Sequence, residues 1–432
     1  MQVFKFGGAS VKDPAAVRNV ASVIQQYSDK SLVVVVSAMG KITNALEALT
    51  HHYMDRAEEP MMEKFLEIKN FHLQIAGDLF DNPKHPAFFH IEQVFFHLLR
   101  YLQEPPSRNY NYEYDRIVST GEIVSSYIVS HFLNYVGIAN QWYDARKLII
   151  TDSSFRDASV DWILTPQAVS KALKPYMEAA PGSNKPSIVL TQGFIGATTQ
   201  GFTTTLGREG SDYTAAILAY SLKAREVVIW KDVPGLLNAD PKIHNDACLL
   251  PNISYQEAIE LAYYGATVIH PKTIKPLLNK NIPLRVRSFA NPELPGSIIN
   301  NHSENDNRIP SYIWKTNQVM VSIFPKDFSF IAEKNLSRIF SDFAKHSIKV
   351  NLMQSSAISF SVCFDYDRIN TPALLDDLKK NFNIKYNNGL KLITVRHYDK
   401  AEMEKLVENC QILLEQKSRT TLQLVTRPIQ VV

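Results

Sequence analysis

The residues best suited to chemistry lie in Thr204-Thr205-Leu206-Gly207-Arg208-Glu209-Gly210-Ser211-Asp212-Tyr213-Thr214, which runs straight into Ala-Ala-Ile-Leu-Ala-Tyr-Ser-Leu. Glycines, hydroxyls and a helix start are what an anion site uses. Free N–H groups and the positive end of the helix dipole face negative oxygens there. Arg208 adds a planar fork that matches a carboxylate or phosphate. Asp212 falls in the first helical turn, where a carboxylate is electrostatically comfortable. A plain capped loop would use the same residue types. The glycine distribution favours the anion site: of 16 glycines, six fall between Gly193 and Gly235. When glycine is scarce, such a cluster marks backbone that must approach something closely.

Four further segments have the same character. Lys5-Phe6-Gly7-Gly8-Ala9-Ser10 places a lysine at a strand end, beside a glycine pair whose N–H groups can form an anion nest. No GxxxxGK[ST] loop is present. Val36-Ser37-Ala38-Met39-Gly40-Lys41-Ile42-Thr43-Asn44 is a second strand running into a glycine and hydroxyl turn. In Ser119-Thr120-Gly121-Glu122 the acid is expected to open a helix, where it would serve as a cap or a binding group. Trp230-Lys231-Asp232-Val233-Pro234-Gly235, followed by Asp240-Pro241-Lys242, reads as a strand end and turn able to hold a sugar and phosphates. The 12 histidines lack metal-ligand spacing and read as surface or core residues. No GxSxG or HExxH occurs.

These segments need a scaffold, and the chain supplies an α/β one. Gln2–Phe6 and Leu32–Ser37 read as strands of a parallel sheet, joined by a helix that Asp13-Pro14 opens. Residues 45–135 are rich in helix formers and aromatics and predict a helical lobe. Strands return at Ile188–Leu190, Glu226–Trp230 and Leu284–Val286, with helices over about Ser211–Leu222 and Ser254–Tyr264. Residues 290–310 are rich in Asn, Pro, Ser and charge and read as a linker. Beyond it the order is strand, helix, two strands, helix, strand, a ferredoxin-like α+β unit. One helix and one strand (Leu422–Val425) are expected after about Asp399. The resulting division is 1–295, a linker over 296–312, a unit over 313–398 and an abbreviated unit over 399–432.

Composition narrows the partners. The 432 residues are 45% hydrophobic and 21% charged, with a net charge of +3, so nothing points to nucleic acid or a membrane surface. Three scattered cysteines exclude a disulfide scaffold and fit a reducing compartment. The start MQVFKFGGAS has no leader pattern, and the longest apolar runs fall far short of the ~20 residues of a membrane span. A soluble cytoplasmic protein is expected.

In their order, KFGGAS, VVVSAMGKITN, STGE, GFIGATTQGFTTTLGREGSDYTAAILA, IWKDVPGLLNADP and GATVIHPKT closely resemble the aspartate kinases of the amino-acid kinase superfamily. The likeness covers about residues 1–300, and the C-terminal part resembles the ACT regulatory domains of that family. It implies an amino-acid-kinase-type sheet flanked by helices, followed by an ACT region. It implies transfer of the γ-phosphoryl of ATP to the side-chain carboxylate of L-aspartate, the first step toward lysine, threonine, methionine and diaminopimelate. On this analogy Lys5, Gly7, Gly8 and Asp212 are catalytic. Arg208 takes the substrate α-carboxylate and Glu122 its ammonium, helped by Ser37, Thr43 and Ser211. Lys231, Asp232, Leu237, Lys242 and Thr267 lie along the nucleotide. Mg²⁺ is held mostly by phosphates and water, without a dedicated protein metal site. ACT pairing between chains implies a homodimer.

The sequence departs from the family pattern at Ala9, Glu209, Lys231 and Thr267, where threonine, glycine, threonine and lysine are usual. Lys231 is expected to compensate for the charge missing at Thr267. Positions that face a lysine effector in sensitive relatives correspond to Asn351 and Ala357, so weak or absent lysine inhibition is expected. Two other readings compete. One is a related kinase, for glutamate or a nucleoside monophosphate; Glu122 with Arg208 argues against the nucleotide and the ACT-like tail against the glutamate enzyme. The other is a catalytically silent amino-acid sensor, which intact Lys5, Arg208 and Asp212 oppose. No GxGxxG follows the ACT-like region, which sets aside a fused dehydrogenase.

Overall fold

The computed structural model describes residues 1–27, 30–177, 187–266, 269–327, 329–398 and 410–428. They divide into two compact units. The first comprises Met1–Leu236, Leu249–Ile259 and Val268–Ser303; the second comprises Leu237–Cys248, Glu260–Thr267 and Glu304–Val432.

The first unit begins with β1 (Gln2–Phe6) and α1 (Pro14–Gln25). Asp13 caps α1 by accepting the Ala16 N–H at 2.8 Å, and Pro14 sits at the first helical position. Next comes β2 (Leu32–Val36), buried along its whole length as a strand covered on both faces must be. Four helices form the lobe expected over 45–135: α2 (Ile42–Met54), α3 (Glu58–Leu79), α4 (Pro86–Leu102) and α5 (Tyr110–Tyr135). Then follow β3 (Gln141–Tyr143), β4 (Ile150–Thr151), α6 (Leu164–Met177), β5 (Ile188–Gln192), β6 (Ile195–Thr198), β7 (Thr203–Thr205), α7 (Gly210–Leu222) and β8 (Val227–Lys231). The last elements are β9 (Asn252–Ser254), α8 (Tyr255–Tyr264), α9 (Pro271–Leu278), β10 (Leu284–Ser288) and β11 (Ser297–Asn300).

The main sheet has the order β3-β5-β2-β1-β8-β10-β11-β9. It is parallel except for the β10–β11 pair. A small sheet, β4-β6-β7, stands apart from it. Phe4, Phe6 and Trp230 pack from neighbouring strands into one core with the helices, the Phe6 and Trp230 rings stacked at 6.1 Å.

Two expectations fail here. Ser119–Glu122 lies in the middle of α5, not at a helix start. Asn109 caps that helix by accepting the Tyr112 N–H at 3.2 Å, so the helix starts upstream of the motif. The stretch 296–312 is also not a plain linker. Ser297–Asn300 forms β11, whose Ser297 and Ile299 alternate inward.

The second unit carries β12 (Ser311–Pro325), α10 (Glu333–Lys345), β13 (Val350–Ser355), β14 (Phe360–Asp365), α11 (Asn370–Asn381), β15 (Phe382–Arg396), β16 (Cys410–Lys417) and β17 (Thr421–Pro428). They form an antiparallel sheet in the order β13-β14-β12-β15-β17-β16. The expected ferredoxin-like order is present. Strands are expected from sequence at Val319–Phe324 and Lys391–Val395; β12 and β15 extend well beyond both. Register shifts between Lys315 and Met320 divide β12. Its C-terminal part pairs with β14, and its N-terminal part, Ser311–Lys315, pairs with the end of β15. That end of β15 also pairs with β17. The second half therefore starts before residue 399 and borrows strands on either side of the first. Cys410–Lys417 is a strand that sequence reading missed, and the helix expected just after Asp399 lies outside the described residues. No helix among the described residues is long and apolar enough to cross a membrane.

Gly121 lets α5 approach α2 closely. A Cβ there would lie 3.0 Å from Leu46, 3.1 Å from Ile42 and 3.2 Å from Ala38. Gly121→Val should therefore destabilise the protein by about 1–3 kcal/mol. Urea unfolding checks this, and an unchanged midpoint would contradict the close packing.

Candidate active site

The rim of the main sheet follows from strand alternation. Lys5 on β1 pairs with Ile229 on β8. Lys231, two residues beyond Ile229, therefore projects from the same face as Lys5. Helix α7 packs on β1 and brings Asp212 in its first turn. The result is a buried carboxylate between two ammonium groups: Lys5 Nζ is 2.6 Å from Asp212 Oδ1, and Lys231 Nζ is 3.3 Å from Oδ2. Burial acts to raise the Asp212 pKa. The ammoniums of Lys5 and then Lys231 outweigh it and hold the carboxyl below its ordinary range.

The two glycine turns meet beside this cluster. Gly40 N–H donates to Gly8 O at 3.0 Å. A Cβ on Gly8 would come within 2.9 Å of the carbonyl oxygens of Ala38 and Gly40, so only glycine fits. Together with α7 and α5 they enclose a cavity of about 460 Å³. Nine of the residues singled out from sequence line it: Lys5, Gly8, Ser37, Thr43, Glu122, Arg208, Ser211, Asp212 and Lys231. Gly7 borders the cluster; a Cβ there would lie 3.3 Å from Lys5 Nζ. Asp232 is exposed just past β8 and does not line the cavity. Leu237 and Lys242 belong to the second unit, and Thr267 lies outside the described residues.

Glu122 is only 2% exposed, and its Oε2 has no hydrogen-bond partner. Burial raises its pKa to about 8, against the opposing backbone hydrogen bonds at Glu122 and Ala38. A carboxylate so placed calls for a cation inside the cavity. On the α7 side, Glu209 precedes the first helical residue in the left-handed region (φ 53°, ψ 30°), with no side-chain capping bond. Its pKa is also raised by burial; Lys231 opposes the shift and Asp212 adds to it.

Sequence reading missed Tyr114 and Arg156, which also line the cavity. Arg156 lies over the Tyr114 ring at 4.2 Å and pairs with Glu47 at 2.9 Å. Its backbone is unusual, with φ 72°. Asp115 fixes it: both carboxylate oxygens accept the Arg156 N–H at 3.0 Å. The same carboxylate accepts Thr205 N–H at 2.8 Å and Thr205 Oγ1–H at 2.6 Å. Burial raises the Asp115 pKa to about 6 despite these donors. Among the described residues, no group of three or more His, Cys, Asp or Glu side chains is arranged to hold a metal ion.

Glu122 gives a test of the geometry. Because its folded pKa lies above that of a free carboxyl, the native protein keeps a proton that the unfolded chain loses between about pH 4.5 and about 8. Stability should fall as pH rises through that window. Glu122→Gln should flatten the profile, removing a slope of up to about 1.4 kcal/mol per pH unit. Urea midpoints across the window decide it; parallel profiles would contradict the burial argument.

Comparison with known proteins shows the family. The sequence profile of the amino acid kinase family matches residues 1–288. The lysine-sensitive aspartokinase 3 of Escherichia coli K12 is 31% identical over 406 residues, which is 91% of this chain and 86% of that protein. The chloroplastic aspartokinase 1 of Arabidopsis thaliana is 31% identical over 377 residues, covering 85% of this chain and 64% of that protein. The solved structure of E. coli aspartokinase III with aspartate and ADP superposes with a TM-score of 0.80 at 28% identity, covering 100% of this chain and 96% of that one.

Proposed function

This chain belongs to the amino acid kinase family, as an aspartokinase, and we propose that the cavity between Lys5, Glu122 and Arg208 is where it works. The enzyme phosphorylates the side-chain carboxylate of L-aspartate at the expense of ATP, in amino-acid biosynthesis. The observation that carries the site assignment is the buried, unpartnered Glu122 carboxylate in the same cavity as Arg208 and the Lys5–Asp212–Lys231 cluster. An α-amino acid has the complementary charges: its ammonium suits Glu122, and its α-carboxylate suits the Arg208 fork. Ser37, Thr43 and Ser211 add polar contacts along the same wall.

The chemistry needs little from the protein beyond charge and alignment. The aspartate side chain is already ionised at neutral pH, so no general base is required. One carboxylate oxygen forms a bond to the γ-phosphorus as the bond to the bridging oxygen of ADP breaks, with no net proton transfer. Lys5 and Lys231 offset the repulsion between the two anions and the charge of the transition state. Asp212 keeps both ammonium groups directed at one point, as a positioning residue. Gly7 and Gly8 offer backbone N–H groups to the phosphoryl oxygens. Asp232 would follow the nucleotide beyond the phosphates.

A divalent cation fits this site only in part. Asp212 is engaged by two lysines, which leaves Glu209 as the carboxylate with a buried unpartnered oxygen on the phosphate side. Mg²⁺ would be held largely by the nucleotide and water, and would offset phosphate charge. We propose that the enzyme is a homodimer, on the resemblance of its second unit to ACT domains, and that it works in the cytoplasm, since three scattered cysteines fit a reducing compartment.

An ATP-plus-aspartate hydroxamate assay tests the assignment. Lys5→Ala should lower kcat by about 10²–10³-fold, as for loss of an oriented charge in a transition state. Glu122→Gln and Arg208→Ala should act mainly through the KM for aspartate. Turnover of glutamate, or none with either acid, would redirect the assignment.

We also propose that lysine inhibits weakly or not at all. Asn351 is neutral, and its Oδ1 already accepts an internal ammonium, Lys315 Nζ, at 2.8 Å. Its Nδ2 donates to Gln318 Oε1 at 2.8 Å and Asp365 Oδ2 at 3.1 Å. Ala357 offers no charge. Titrating lysine into the assay should leave the rate essentially unchanged; potent inhibition at submillimolar lysine would overturn this.

A further inference from the structure

Glu209 brings a negative charge to the wall that a polyphosphate would face. Its backbone occupies the left-handed region, where glycine is at ease and glutamate is strained. Its carboxylate accepts the backbone N–H of His270, yet Oε2 is buried without a hydrogen-bond partner. Lys231 is its strongest attractive neighbour, but that ammonium is also held by Asp212 at 3.3 Å. Formally, the two lysines and two carboxylates of this corner cancel. With no net charge in this corner beyond the directed lysines, a further cation arriving with a triphosphate would strengthen its binding there. A hard divalent cation is what such a carboxylate oxygen accepts: Mg²⁺ is commonly bound by one or two carboxylates together with substrate phosphates.

We propose that Glu209 supplies a carboxylate oxygen directly to the Mg²⁺ that accompanies ATP, so that this enzyme contributes a protein ligand to its metal–nucleotide complex. The inference rests on the assignment of the cavity to ATP. It also gives Lys231 a role other than replacing a charge at Thr267. Lys231 balances Asp212 and Glu209 until the metal–nucleotide arrives, and then faces the phosphates.

Calorimetric titration of ATP, without aspartate, into the full chain tests this in excess Mg²⁺ and again in EDTA. Wild type should bind MgATP more tightly than free ATP. Glu209→Gln should weaken MgATP binding by about tenfold, the low end for loss of a metal-supporting group. In EDTA the same variant should bind ATP as tightly as wild type or more tightly, because a charge facing the phosphates has gone. Glu209→Gly, which suits the left-handed backbone, should reproduce both directions and so excludes misfolding as the cause. If either variant keeps the wild-type ratio of the two affinities, or loses equally in both buffers, Glu209 is not a metal ligand. If wild type binds no ATP in either buffer, the assignment of the cavity to ATP fails instead.

Discussion

The site is organised around a buried carboxylate gripped from two sides. Taking Asp212 and two lysines out of water is costly, and an apolar trio of similar volume would serve stability as well or better. The cluster is therefore better understood as apparatus for handling anions than as a stabilising device. It also constrains the fold. Lys5 and Lys231 reach one point only because β1 and β8 are parallel neighbours in a register that pairs Lys5 with Ile229. Asp212 reaches it only because α7 starts at Gly210 and lies over β1. Slipping either strand by one residue would turn its lysine to the other face.

Close backbone approach is the second constraint. Gly8 and Gly40 let two strand-end turns meet, and Gly121 lets α5 come down on the second of them. That approach carries Glu122 into the cavity from the middle of a long helix. Asp115, about two turns earlier on α5, ties in the loop bearing Arg156 and the end of β7 at Thr205. One helix thus places Glu122 in the cavity and anchors the backbone at Arg156 and Thr205, and the glycine in its interior is explained by the close packing on Ala38, Ile42 and Leu46.

The parts of this arrangement legible in the sequence share a local signature. Lys5, Ser37, Thr43, Arg208, Ser211 and Lys231 stand at strand ends or glycine turns, where hydrophobic period and punctuation coincide. Glu122 was found as a residue but misplaced as an element, because Gly121 looks like a boundary when α5 is read without its upstream cap. Arg156 had no local signal. It sits in an irregular stretch, and Asp115, 41 residues away, fixes its backbone. The long strands β12 and β15 were truncated for a related reason. Parts of their length are polar or exposed, and the pairing of β12 with β15, and of β15 with β17, is visible only in three dimensions.

The environments of Glu122 and Glu209 bear on the competing readings. In a catalytically silent sensor, nothing would favour a titratable carboxyl with an unpartnered oxygen over a glutamine at either place. In a nucleoside monophosphate kinase, Glu122 would confront a second phosphate and repel it. Both glutamates make sense if one cation enters as the ammonium of an amino acid and another enters with ATP. Each carboxylate would then be neutralised by a different ligand in the one cavity, which would leave the lysine–aspartate cluster free to act on the phosphoryl group in transit.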